Sequence, residues 1–406
     1  MRAVDILRRR LSSRLVTIHR ARLKAVFAAL GALLRGGRLS LTELGRSIGG
    51  AVDAKHSIKR IDRLLGNKHL HAEVTIWFAT IAEALLAGIR RPLIVVDWTE
   101  VGPEHVALVA AVPAGGRALM IYSEVHPLRL LSNGKVERQF LETLAKQILP
   151  TSCRPIIETD AGFKNPWFKV VRKLSWDFIG RVPAGVLAIE ADADPASKRD
   201  REAWFRADSL HSRASTKPSD IGWHTLAKAN PLDVRLVLVK KYEKGRKGSK
   251  KVTRKGVHPG STVYKKYQRR AREPWLLATS LRRQSAKQIV TLYSQRMQIE
   301  ETFRDTKNHR FGWSFEDARS DSAERLQVLL LLAALGALGL HLVGVAAERL
   351  NLHLRYQANT IRTRRVLSFF ALGKMIVARN KMEAITTDRL EEALEDVQRV
   401  VRSNGF

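Results

Sequence analysis

Apolar and polar positions alternate in three different rhythms along the chain. From residue 1 to about 85, Leu, Ile and Val recur with a spacing near 3.6 rather than 2, the period of amphipathic helices. Within this stretch LSLTELGRSIGG is followed by AVDAKHSIKRIDRLLGNKHLH, which reads as helix, glycine-containing turn and helix, the outline of a helix-turn-helix. From about residue 90 the period shortens. PLIVVDW, HVALVAAV and ALMIYSEV are short β-rich runs at hairpin spacing. GKVERQFLETLAKQIL is then an amphipathic helix, RPIIETD a strand, NPWFKVVRKL a helix and WDFIGRV a strand. An antiparallel start followed by strand, helix and strand predicts an α/β fold, a mixed sheet with flanking helices.

Residues 183 to about 285 are less regular, with clear strands only at VRLVLVK and EPWLLATS. Between those strands, residues 241–272 are rich in Gly, Ser, Lys and Arg and cannot form a core. This segment reads as a mobile basic loop beside DNA phosphates, or as a solvated surface loop. SAKQIVTLYSQRMQIEETFRDTKN predicts one long amphipathic helix, and a very apolar helix follows over 326–349. TRRVLSFFALGKMIV and DRLEEALEDVQRVV are the last helical runs, and no internal repeat is visible. The expected organisation is a helical domain over 1–88, an α/β domain over 89–350 with an insertion at about 183–285, and a helical region over 351–406.

Val328 to Ala347 is twenty residues without a formal charge, long enough to cross a membrane. It is a single such run, flanked by Arg325 and Arg349, and it contains His341 and glycines. A fully buried helix of a large core has the same composition, and that is the expectation here. A membrane protein is the competing reading from another class.

Charge changes the picture further. Lys and Arg total 71 against 39 acids, a net charge of +32, which points to a polyanionic partner and argues for nucleic acid over a merely basic globular protein. Residues 1–70 alone carry 16 Lys or Arg and 4 acids. Lys55, Lys59 and Arg63 recur at i, i+4 and i+8 on the second helix of the helix-turn-helix, giving one basic stripe suited to DNA, although an ordinary solvated helix face has the same look. The lone cysteine, Cys153, excludes an intrachain disulfide and a cysteine-based zinc site. MRAVDILRRRLSSRL has charges where a signal peptide needs an unbroken apolar run, so a cytoplasmic location is expected.

Candidate chemistry begins with two acids. Asp97 closes the strand PLIVVD and Asp160 closes RPIIETD. Acids on neighbouring strand ends can coordinate Mg2+, a hard cation that prefers oxygen, although acids also end strands as turn formers. A sharper pattern lies in the long helix. Tyr293, Arg296, Glu300 and Lys307 follow at spacings of 3, 4 and 7, which places them on one helical face. A carboxylate flanked there by two cations and a phenol suits an acid that binds metal while its neighbours grip phosphates.

The pattern Y-x2-R-x3-E-x6-K resembles the signature of the insertion-sequence-four family of DDE transposases. TDAGFKNPWF and WDFIGRV are similar to that family's segment around its second Asp. YSQRMQIEETFRD, KHSIKRIDRLLGN and VVDW are especially similar to the transposon-ten transposase subgroup. The resemblance covers nearly the whole chain. It implies an RNase H-like catalytic core interrupted by a β-rich insertion, with Asp97 on the first strand, Asp160 on the fourth and Glu300 on the helix after the insertion. Glu301 is the competing acid, one residue off the motif and about 100° round the helix. The resemblance also implies two Mg2+ ions, with Mn2+ as a substitute, and Trp275 of EPWLLATS stacking on a flipped DNA base. The implied partners are double-stranded DNA, as inverted-repeat element ends and as target, and a second copy of the chain in a synaptic complex, with the C-terminal helices as a dimerisation region. The implied activity is cut-and-paste transposition by nicking, hairpin formation and resolution, and 3′-OH joining. The alternative is a catalytically inactive relic that binds DNA as a repressor.

Overall fold

The computed structural model describes residues 2–12, 14–200, 202–241, 273–358 and 360–405. The chain divides into two compact units, one of residues 1–158 and 295–406 and the other of residues 159–294.

The first unit opens with five helices, α1 (Arg2–Ser12), α2 (Arg20–Leu34), α3 (Leu41–Arg46), α4 (Ala54–Leu65) and α5 (Lys68–Leu86). Their starts are set locally. Ser40 accepts the Glu43 N–H to cap α3, and Asn67 accepts the Leu70 N–H at 2.9 Å to cap α5. Helices α3 and α4 cross at Gly45, where a β-carbon would lie 2.5 Å from Ile58 Cα, so only glycine permits the approach. Strands β1 (Leu93–Glu100), β2 (His105–Pro113) and β3 (Ala118–Pro127) form the expected meander, with Asp97 opposite Val109. Helix α6 (Gly134–Thr143) ends in one wider turn, Leu144–Ile148, and leads to β4 (Ile156–Thr159). β4 runs parallel to β1 with Glu158 opposite Val95, so this unit's strands are ordered β3-β2-β1-β4 in a mixed sheet.

The second unit starts with α7 (Asn165–Lys173) and β5 (Asp177–Arg181), followed by β6 (Leu187–Glu190), α8 (Pro195–Arg199), β7 (Phe205–Arg206), β8 (Ser219–Leu226), β9 (Leu232–Val239), β10 (Trp275–Thr279) and α9 (Ala286–Tyr293). Its strands lie in the order β5-β10-β9-β8-β6-β7 and all pair antiparallel. Strands β6, β7 and β8 were not legible in the sequence: β6 and β7 are only four and two residues long, and β8 has no buried residue in its first five positions. The basic segment expected beside DNA lies, apart from Lys241, outside the described residues.

The chain then returns to the first unit with α10 (Met297–Lys307), α11 (Ala323–Arg349), α12 (Phe369–Ala378) and α13 (Thr387–Ser403). The single long helix predicted over 285–308 is two helices, interrupted by a 3-10 turn at Ser294–Arg296. Here the Ser294 hydroxyl donates to the Thr291 carbonyl at 2.6 Å, and a side chain that bonds the preceding turn competes with the helical ladder.

Helix α11 is the apolar run. It is long and apolar enough to span a membrane by composition alone, but 94% of its most apolar window is buried inside the protein. It is the central helix of the first unit's core, against α1, α2, α4, α5, α12, α13 and β3. Its glycines are explained by that packing. A β-carbon on Gly344 would lie 2.2 Å from the Phe369 carbonyl oxygen, and one on Gly373 of α12 would lie 2.0 Å from that of Leu340. Small residues let the two backbones touch.

Candidate active site

Four buried residues, Leu93 to Val96, carry β1 through the core, and the strand emerges at Asp97. One oxygen of Asp97 accepts the Trp98 N–H at 2.9 Å, and the other lies 3.3 Å from Arg296 Nη1. The second terminal nitrogen of Arg296 is bonded to Glu300, one turn along on α10. A single guanidinium therefore holds both carboxylates, two of the acids expected from the sequence. Asp97 and Arg296 are 15% and 14% exposed, while Glu300 is more open at 42%. Hard carboxylate oxygens converging on one positive group are the donor chemistry that a divalent cation of the Mg2+ type takes. Among the described residues, no three His, Cys, Asp or Glu side chains are gathered closely enough to hold a metal ion.

Glu301 is engaged elsewhere. It pairs with Arg304 and lies 3.6 Å from Arg117, which also bonds Asp305 at 2.6 Å. The neighbouring acids on α10 thus serve different partners, as their offset round the helix requires.

Lys307, at the end of α10, reaches back to β1 and donates to Thr99 Oγ1 at 2.7 Å, two residues beyond Asp97. Burial pushes its ammonium below the ordinary lysine range, while the charges of Glu316, Glu100 and Asp97 work against that shift. A cation fixed beside two acids on a partly open surface can bind a phosphate at the same place.

Further residues around these were missed by sequence reasoning. Trp98 donates its indole N–H to Glu137 on α6 at 3.2 Å and packs edge-on against His126, which bonds Glu124 at 3.0 Å. This chain fixes the end of β1 from both sides. Glu158 on β4 is fully buried. Burial drives its carboxyl well above the ordinary glutamate range, opposed in part by the charge and the backbone N–H of Arg296. An acid inside the apolar run IIET was its only signal in the sequence.

In the second unit, Asp160 follows β4 and accepts the Gly162 N–H at 2.7 Å in a tight turn. Trp275 opens β10 and is 8% exposed, with its ring 5.0 Å from that of Tyr293 in an edge contact and Lys241 Nζ 5.3 Å from its centroid. Tyr293 is itself buried, so these two aromatic site candidates pack on each other in this unit's core.

Residues 130–336 match the family model described as the transposase DDE domain, just over half of the chain. The chain belongs to the transposase DDE domain family. The DDE domain match takes in Asp160, Trp275, Tyr293, Arg296, Glu300 and Lys307, and begins after Asp97. A solved structure, the cryo-EM structure of a piggyBac transposase synaptic complex with hairpin DNA, is similar at TM-score 0.39 and 13% identity, over 98% of this chain and 83% of that chain. No curated protein matches the chain.

N-terminal to the DDE domain match, the α3–α4 pair has the predicted helix, turn and helix. Lys55, Lys59 and Arg63 are exposed along α4. Lys59 pairs with Asp62 at 3.0 Å, and Asp62 is also held by Arg325 of α11 at 2.9 Å. Both bonds draw the Asp62 carboxyl below its ordinary range, that of Arg325 more strongly. Among the described residues, Lys55 and Arg63 make no ion pair, so of the predicted stripe these two present uncompensated charge.

Proposed function

We propose that this DDE-family chain is a cut-and-paste DNA transposase of the insertion-sequence-four family, close to the transposon-ten subgroup, built on an RNase H-like catalytic core with a β-rich insertion. The observation that carries the reading is the convergence of Asp97 and Glu300 on Arg296, with Lys307 anchored beside them on Thr99. The 3-10 turn and the first turn of α10 bring Arg296 and Glu300 together, and β1 delivers Asp97 to Arg296 and Thr99 to Lys307.

The donors proposed for two Mg2+ ions, replaceable by Mn2+, are Asp97, Asp160 and Glu300, and such ions stabilise charge on the attacking and leaving oxygens of an in-line displacement at phosphorus. The protein's own groups do the rest. Arg296 and Lys307 orient the scissile phosphate so that the incoming and departing oxygens are in line. In the first step water attacks the phosphorus and the 3′ oxygen of the element end leaves as a hydroxyl. That 3′-OH attacks the opposite strand, closing a hairpin and releasing the flanking DNA. Hydrolysis reopens the hairpin, and the 3′-OH attacks target DNA. Trp275 would hold a base flipped out at the bend, through stacking worth about 1–3 kcal/mol. The α4 cations Lys55, Lys59 and Arg63 would bind the element ends from the 1–88 region, and the C-terminal helices would support a homodimer.

The test is to incubate the purified protein with its flanked element ends and Mg2+. Asp97→Ala, Asp160→Ala and Glu300→Ala should each abolish cleavage and keep end binding, while Glu301→Ala should cut. Wild-type cleavage by any one of the first three overturns the assignment.

A further inference from the structure

Beyond α10 the chain makes a tight turn whose apolar side chains go in opposite directions. Trp313 and Phe315 are each 1% exposed, whereas Phe311, in the same FGWSF run, is 66% exposed. The outward ring is not on a loose loop. Asn308 Oδ1 accepts the Arg310 and Phe311 N–H groups at 2.8 and 2.7 Å, and its carbonyl accepts the Gly312 N–H at 3.0 Å. Trp313 N–H returns to the Asp305 carbonyl at 3.1 Å, and Lys374 of α12 donates to the Phe311 and Gly312 carbonyls at 3.2 and 2.5 Å. A β-carbon on Gly312 would sit 1.9 Å from the Asp305 oxygen, so the turn closes only with glycine there. The Trp313 ring is wedged edge-on against Phe370 at 4.8 Å, which anchors the turn from inside.

A single exposed aromatic needs no explanation by itself. This one is held rigidly, and the Arg310 guanidinium lies 5.0 Å from its centroid. Arg310 is exposed and makes no ion pair among the described residues. An apolar face beside an uncompensated cation is complementary to a nucleic acid, which presents π-faces and groove walls next to phosphates. A protein partner would have to bury the unpaired charge.

We propose that the Asn308–Gly312 turn is a DNA contact of this transposase, in which Phe311 packs against a base step of the element end while Arg310 binds an adjoining phosphate. The inference rests on the function proposed above. The turn follows Lys307, the last residue of α10.

The experiment uses the full chain and element-end duplexes carrying 2-aminopurine at successive positions from one to eight base pairs inside the cut. Phe311→Ala should keep its melting temperature, bind ends about ten-fold more weakly with an unchanged salt slope, and lose the fluorescence change at one of these positions. Phe311→Trp should restore both. Arg310→Gln should instead make the slope of log affinity against log salt shallower by about one. If wild-type protein does not prefer element ends to random DNA, the transposase reading fails and this contact with it. If wild type binds ends and Phe311→Ala binds them equally with the same fluorescence pattern, the contact alone is refuted. A change in sedimentation of Phe311→Ala without DNA would assign the ring to a protein interface and overturn the proposal as well.

Discussion

His341 lies in the middle of α11, 1% exposed, with its ring 4.8 Å from that of Phe369. Burial, with help from the charge of Arg365 and against a hydrogen bond to the Ala114 backbone, pushes its pKa down from 6.5 to about 3. A folded-state value below the unfolded one means that folding favours the neutral ring. The stability this contributes is complete above the unfolded pKa and is lost as pH falls from 6.5 towards 3. Between pH 7.5 and 5 the unfolded chain takes up the proton while the folded one does not, and 1.5 pH units below 6.5 correspond to about 2 kcal/mol. For a unit of this size that is a fall in melting temperature of about 4–8 °C. Glu158 titrates in the opposite sense, because its raised pKa makes the fold more tolerant of acid than of base, so the absolute slope mixes the two. The difference between wild type and His341→Leu isolates the histidine. Differential scanning calorimetry at pH 7.5, 6.5, 5.5 and 5.0 should show the variant at least as stable at neutral pH and progressively more stable than wild type towards pH 5. Parallel melting curves for the two proteins would refute the argument, since the ring would then be protonated or partnered in the fold.

Three further outcomes follow from the site. Lys307→Ala should weaken end binding and make the salt slope about one unit shallower, as expected for a lost phosphate contact; an unchanged slope with a lower melting temperature would give Lys307 a structural role through Thr99. Lys55→Ala and Arg63→Ala in the full chain should each reduce the preference for element ends over random DNA, measured by competition binding, while Lys59→Ala should do less because Lys59 already pairs with Asp62. Trp275→Ala should spare the first nick and impair hairpin closure, with partial rescue by an abasic site at the flipped position; equal loss of both steps, or a large drop in melting temperature, would make it a core residue packed on Tyr293.

The legibility of this chain followed the length scale of each signal. Helical periodicity, the β1–β2–β3 meander and the Arg296–Glu300 spacing are local properties, written within a few turns or a few strand residues, and they could be read directly. What joins distant parts could not. The break at Ser294–Arg296 depends on a hydroxyl that bonds the preceding turn, and periodicity does not register it. The assignment of α11 to the core rather than to a lipid bilayer needed the helices and strand that cover it, because composition is the same in either solvent. Asp97 meets Glu300 through Arg296, some two hundred residues later in the chain, and Glu158 is recognisable as a fully buried acid once β4 lies beside β1. The sequence by itself therefore determined the elements and which residue types could do chemistry. The tertiary structure decided which of them share a surface, because pairing across long loops depends on packing that no short window of residues contains.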